Sequence, residues 1–152
     1  MFKIIRLEDK TKQSIRLKIL SGIPVRRGFR KKTFCEKEYA SDPGDFGRGI
    51  YYDTNYYRAK TYGEVIKSVL KLINPIVLSS GEAYEIAEKF QTVRLNDDWY
   101  VKNNSQDSMQ ARLNNAQRMT EFLINQGYDG LASVNTKMGS IEIVDYRPYI
   151  EG

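Results

Sequence analysis

The sequence predicts an α+β domain, and three observations predict it. Period-two alternation marks strands at 64–72 and 140–146, while apolar stripes at i, i+3, i+4 and i+7 mark helices at about 82–91 and 107–126. The chain has 152 residues, 41% of them apolar, which is enough for one adequate core, and no linker long enough to divide it. A single domain over residues 1–152 is therefore expected.

The opening residues Phe2 to Leu7 read as a strand, and Asp9 to Leu20 as a short helix ending at Gly22. Ile23-Pro24-Val25-Arg26-Arg27-Gly28-Phe29-Arg30 is a second short strand. Residues 31–45 form a polar loop with a turn at Pro43-Gly44 and anchors at Tyr39 and Phe46. Cys35, with no visible activator, reads as inert.

Gly47-Arg48-Gly49-Ile50-Tyr51-Tyr52-Asp53-Thr54 then gives a strand and a corner. A short helix follows, capped by Thr54 or Asn55 and carrying Ala59 and Tyr62. Alternation puts Ile50 and Tyr52 on one face and Gly49 and Tyr51 on the other. Ile50 is the expected core residue, leaving Tyr51 over a surface that Gly49 keeps open. The corner returns Tyr62 toward Tyr51, and two rings beside glycine backbone suit a flat ring ligand.

Glu64 to Leu72 is a strand, broken at Asn74-Pro75 and resumed at Ile76-Val77-Leu78. Ser79 and Glu82 have capping-box spacing for a helix whose Ala83, Ile86, Ala87 and Phe90 face the core. Residues 91–106, with Asp97, Asp98 and Trp99, are an irregular insert. The long helix begins at Ser105 or Asp107 and presents Met109, Leu113, Ala116, Met119 and Leu123 on one face. Gly127 caps it, and Asp129 is a turn residue ahead of the strand Leu131 to Val134. In the last strand Ile141 and Ile143 face the core, so Glu142 points the other way with Ser140 and Val144. A lone carboxylate there is either an exposed strand face or a functional acid.

Composition removes several chemistries. With no histidine and one cysteine, the chain has no internal disulfide, no His-based zinc site, no Ser-His triad and no Cys-His dyad. Lys plus Arg exceed Asp plus Glu by 24 to 19, which favours phosphate-bearing partners or acidic surfaces but does not show nucleic-acid binding. No apolar run approaches the roughly 18 residues of a transmembrane helix. The charged N-terminus does not read as a signal peptide, so a cytoplasmic protein without membrane association is expected.

Several of these stretches resemble the ADP-ribosyltransferase fold, known from diphtheria toxin and the poly(ADP-ribose) polymerases. Gly47-Arg48-Gly49-Ile50-Tyr51 is similar to the family's second motif, with Tyr62 at the spacing of its second tyrosine. Arg27-Gly28 is similar to the Arg-Gly form of the first motif, seen in the branch including cholera toxin. Glu142, just ahead of Tyr146-Arg147-Pro148, matches the catalytic Glu, and the Asn74-Pro75 break and Gly127-Tyr128-Asp129-Gly130 passage match in order. The likeness spans about 23–150. It implies a split mixed β-sheet with flanking helices and an NAD cleft between its halves.

By that resemblance Tyr51 and Tyr62 would sandwich nicotinamide, Gly28 would offer backbone groups to its amide, and Arg27 would hold a phosphate or ribose. Thr54 is the only hydroxyl near the place of the Arg branch's Ser-Thr-Ser string. Ser140 stands where arginine-modifying members have Glu, which leaves the acceptor open. Glu142 would stabilise the oxocarbenium-like ribose formed when the glycosidic bond of NAD breaks. The nicotinamide ring is already cationic in NAD and leaves neutral, so no general acid is required.

The implied function is a mono-ADP-ribosyltransferase, a small phage or bacterial effector moving ADP-ribose from NAD to a host protein or nucleic acid in the host cytoplasm, with no metal. The alternative is a catalytically silent domain of the same fold, a binding or inhibitor protein using its basic surface. No motif speaks for a plain nucleic-acid-binding domain.

Overall fold

The computed structural model describes residues 4–29, 45–61, 63–90 and 106–150. Tyr62, Cys35, Tyr39, Asp97, Asp98 and Trp99 lie outside the described residues, as does the side chain of Met109.

The elements run α1 (Asp9–Ser21), β1 (Ile23–Phe29), β2 (Ile50–Asp53), α2 (Tyr56–Lys60), β3 (Glu64–Leu70), β4 (Pro75–Ser79), α3 (Ser80–Glu88), α4 (Gln106–Asn125), β5 (Gly130–Val134) and β6 (Ile141–Asp145). A 3-10 turn over Arg147–Tyr149 closes the described chain. The fold is α+β: one mixed six-stranded sheet, in the order β3-β1-β2-β6-β5-β4, with flanking helices. Only β4 and β5 are parallel, joined through α3 and α4. No helix among the described residues is long and apolar enough to cross a membrane.

Apolar residues cover both faces of the sheet. On one face Ile15 and Ile19 of α1 pack with Val25, Leu70, Val77, Ala132 and Ile143, and with the half-buried Tyr52. On the other, Ala83 of α3 and Met119 and Leu123 of α4 pack with Leu78, Leu131, Val144 and Tyr146. β6 feeds both layers, since Ile143 and Val144 point opposite ways and both are 0% exposed. The strand pattern therefore carries apolar side chains on both faces, and Glu142 is not on an open strand face.

Local signals fix most element ends. The Ser79 hydroxyl accepts from the Glu82 N–H at 3.1 Å and the Glu82 carboxylate accepts from the Ser79 N–H at 3.0 Å, the predicted capping box. The short helix is capped by Asn55, whose side chain accepts from the Tyr57 and Arg58 amides. Thr54, the other expected cap, is used elsewhere.

The strand expected at Phe2 to Leu7 is not formed over Ile4 to Leu7. Its backbone bonds go to side chains of the capping box: the Ser79 hydroxyl donates to the Ile5 carbonyl, and the Leu7 N–H donates to Glu82 at 3.2 Å. Lys12 reaches the second Glu82 oxygen at 3.2 Å. Those partners satisfy the segment without a ladder.

The sheet is thin at one place. β1 pairs with β3 along its whole seven-residue length, but with β2 only at Arg26↔Asp53. Side chains and α2, which packs on β1, β2 and β3, hold that junction.

Asp129 is the turn residue expected. It is buried and accepts from the Ile73 N–H at 2.7 Å and the Asn74 N–H at 2.9 Å, fixing the bend before β4. Asp129→Ala strands two amides and should cost about 2–3 kcal/mol in urea unfolding. Asp129→Asn keeps one acceptor and should cost about half as much, and equal losses for the two variants would contradict this role.

Candidate functional site

One row of cross-strand neighbours runs the width of the sheet. The register pairs Lys67 with Arg26, Arg26 with Asp53, Asp53 with Glu142, and Glu142 with Ser133. Directly opposed residues share a face, so all five belong to the face that Tyr51 and Val144 share. Strands are about 4.8 Å apart, so the row passes from two cations to two carboxylates within roughly 15 Å.

Asp53 is buried and both its oxygens are used. Oδ1 accepts from the Asn55 N–H at 2.7 Å, and Oδ2 pairs with Arg58 Nε at 3.0 Å. This pins the corner after β2 and draws Arg58 of α2 over the row.

Glu142, in the next strand, makes no comparable ion pair among the described residues. Burial first, and then the charges of Asp45 and Asp53, push its carboxyl up to about 7, while Arg58 opposes the shift. Tyr84 of α3 donates its hydroxyl to Asp45 at 3.2 Å, and its ring meets Phe46 at 4.8 Å between centroids. Burial and the Asp45 charge push the Tyr84 phenol up to about 12, with Glu142 adding to the effect. Glu142 thus lies on a floor of β2 and β6, within electrostatic reach of Arg58 on α2 and Tyr84 on α3.

Tyr51 is held by its tip. Its hydroxyl accepts from the Phe46 N–H at 2.9 Å and donates to the Gly47 carbonyl, while the residue as a whole keeps partial exposure. Burial first, with Tyr146 nearby, raises its phenol well above the usual range. The ring packs against the layer of Val144 and Tyr146. Phe46 is buried, with its carbonyl accepting from the Tyr146 hydroxyl at 2.6 Å; of the loop over 31–45 that it was expected to anchor, 31–44 lie outside the described residues.

Several sequence expectations need correction. Gly49 does not keep a surface open for a ligand. A Cβ there would come within 2.6 Å of the Asp145 carbonyl and 2.7 Å of the Val144 side chain, so glycine admits β6 and Tyr146 instead. Ile50 is half-buried and belongs to neither apolar layer. It stands opposite Asp145, whose carboxylate is forked onto Arg147 at 2.9 and 2.8 Å, so its neighbour is a rim ion pair rather than core.

Arg27 stands on the other face of the sheet from Glu142. It is registered with Ile66, on the side of Val25, and its charge acts on Tyr52. Alternation from Val25 through Arg27 forces this, since Arg26 and Gly28 must then share the opposite face. The structure therefore brings Glu142, Tyr51 and Gly28 to one face and leaves Arg27 off it.

Thr54 clamps the corner to β6: its hydroxyl accepts from the Ile141 N–H at 2.9 Å, and its own N–H donates to the Ile141 carbonyl at 3.0 Å. Ser140 is buried, and its carbonyl accepts from the Asn135 N–H at 2.8 Å. Ser140 stands two residues before Glu142 in the chain, and Thr54 meets the intervening Ile141 from the neighbouring strand end. Tyr62, the second ring, falls outside the described residues.

Sequence reasoning passed over Arg26, Asp53, Arg58, Asp45 and Tyr84. For Arg26 and Asp53 the signal was present, because alternation from Val25 and from Tyr51 places them. Asp45 and Tyr84 come from separate elements, with no local pattern linking them to Glu142.

No protein-family model matches the chain, and no curated protein matches it.

Glu142 has a thermodynamic signature. Its folded-state pKa of about 7 exceeds the ordinary 4.5, so between those values the folded chain binds more protons than the unfolded one. Its contribution is fully present below 4.5 and is lost as pH rises through about 7, to the extent of about 3 kcal/mol. Glu142→Gln should remove that slope and be the more stable form above pH 7, as read by urea unfolding across the range. A variant less stable than the parent above pH 7 would contradict the burial cost assigned here.

Proposed function

We propose that the chain is an NAD-dependent mono-ADP-ribosyltransferase with Glu142 as its catalytic carboxylate. The observation that carries the reading is the row across the sheet: cations at β3 and β1, a fixed carboxylate pair at β2 and β6. Such a row suits a ligand that is anionic in the middle and becomes cationic at one end. NAD is of that kind, with a diphosphate joined through ribose to a positively charged nicotinamide.

In this reading Glu142 faces the ribose carbon that bears nicotinamide. The carbon–nitrogen bond breaks with its electron pair going to the ring, which leaves neutral. The Glu142 carboxylate stabilises the charge that grows on the ribose and orients its hydroxyls. An acceptor nucleophile forms the new bond to that carbon and gives its proton to water. Asp53, tied to Arg58 and Asn55, is a positioning residue that keeps a second negative charge beside Glu142. Tyr51, fixed through its hydroxyl and partly exposed as a residue, is the stacking surface for the leaving group in this reading. Gly28 lies on the same face as Glu142. The acceptor is a macromolecule, protein or nucleic acid of a host cell if the chain is a phage or bacterial effector.

A second reading is a domain of the same fold that binds without turnover. One observation favours it: Arg27, the cation of the first motif, stands on the face opposite Glu142.

NAD labelled in its adenylate half, incubated with the protein and a bacterial lysate, separates the two. The expected result is label on protein or nucleic acid, with nicotinamide released in step. Glu142→Gln should lower the rate by about a hundredfold or more, as loss of a principal transition-state contact does. Because Glu142 acts ionised, the parent rate should climb as pH rises through about 7 and then level. Labelling unchanged in Glu142→Gln would reject the assignment of the carboxylate. NAD binding with neither labelling nor nicotinamide release would favour the silent domain.

A further inference from the structure

We infer that Arg26, flanked by Lys67, takes the diphosphate of the ligand in place of Arg27. The inference rests on the ADP-ribosyl-transfer reading and deepens it at one end of the row.

Four observations support it. Arg26 is registered opposite Asp53, one strand from Glu142, whereas Arg27 points through the sheet to the α1 layer. No ion pair joins Arg26 to Asp53 among the described residues, where Asp53 pairs with Arg58 and accepts from the Asn55 amide. Arg26 Nη1 donates to the Thr54 carbonyl at 3.1 Å, which fixes the plane of the guanidinium. Its Nε is buried and has no hydrogen-bond partner among the described residues.

A buried donor left unpaired is costly, and a charged one more so. With Nη1 taken, the Nε–Nη2 edge remains, and that edge matches two oxygens of a phosphate. Arg26 keeps partial exposure, so an anion can reach the guanidinium, and its buried Nε is met once the atoms covering it shift.

Lys67 is the next residue outward on the same face and is exposed. Adjacent strands stand about 4.8 Å apart, so two neighbouring cations on long side chains can each meet an outer oxygen on a different phosphate of a diphosphate. Arg26 and Glu142 are two strands apart, roughly 10 Å. A diphosphate at Arg26 thus leaves about one ribose of reach to the carboxylate.

The test is titration calorimetry on the full chain with ADP-ribose, ADP and adenosine as probes. The parent should bind ADP-ribose and ADP more tightly than adenosine, with an affinity that falls as salt rises. Arg26→Gln should weaken ADP-ribose about tenfold or more and leave adenosine unchanged; Arg27→Gln should stay within about twofold of the parent. Lys67→Gln, at an exposed position, should weaken ADP-ribose several-fold, and it serves as the second variant if Arg26→Gln fails to fold. Arg26→Lys keeps the charge but not the fork and should fall between parent and Arg26→Gln.

Loss of ADP-ribose binding in Arg27→Gln, with Arg26→Gln and Lys67→Gln unaffected, overturns this assignment while leaving the transferase reading intact. A parent that binds neither NAD nor ADP-ribose overturns both.

Discussion

The structure depends on β6 being apolar in both directions. Pairing β6 between β2 and β5 sends Ile143 into the α1 layer and Val144 into the α3–α4 layer, each completely buried. Tyr146 follows into the second layer and donates its hydroxyl to the Phe46 carbonyl. That bond and the two bonds of the Tyr51 hydroxyl set the loop ahead of β2. Gly47, at φ 95, completes the arrangement, because a Cβ there would lie 2.6 Å from the Thr120 hydroxyl. One strand therefore organises two layers and a loop, and of its two carboxylates Asp145 is paired with Arg147 while Glu142 faces the α3–α4 side.

A carboxyl in that position is difficult to explain by stability. Burial and two neighbouring carboxylates oppose its ionisation, and Arg58, the nearby cation, is already committed to Asp53. Perturbed acids of this kind gather at functional sites, where a charge is retained for chemistry rather than for packing. The contrast with Glu82 is instructive. That carboxylate lies in a capping box with Lys12 beside it; burial opposes its charge, yet hydrogen bonds from Ser79 and Leu7 outweigh burial and lower its pKa. The same residue type serves the fold in one place and burdens it in the other.

Much of this was legible in the sequence, because local chemistry decided it. The Ser79–Glu82 box, the stripe of Ala116, Met119 and Leu123, the break at Asn74-Pro75 and the alternation of β6 all appear where the pattern put them. The failures share a cause. Phe2 to Leu7 has strand character, but side chains 70 and more residues away take its backbone groups. Gly49 was read as open because the sequence does not reveal that β6 lies against it. Arg27 was chosen by motif, although alternation from Val25 already assigns it to the α1 face. A motif names a residue type, whereas a pleat decides which way it points.

The single registered pair between β1 and β2 has a mechanical consequence. A long ladder makes strands open together, but here the β1–β3 ribbon is joined to the rest of the sheet through one backbone pairing, the Arg26 side chain, the short helix α2 and the apolar layer that Val25 and Leu70 share with Val77 and Ile143. The protein is in effect a clasp, with Arg26 and Lys67 on one jaw and Asp53 and Glu142 on the other. Partial opening of the clasp costs less than global unfolding, because this seam has only one registered backbone pair to break. A ligand that bridges the row would close it, and binding and cohesion of the sheet would then draw on the same contacts.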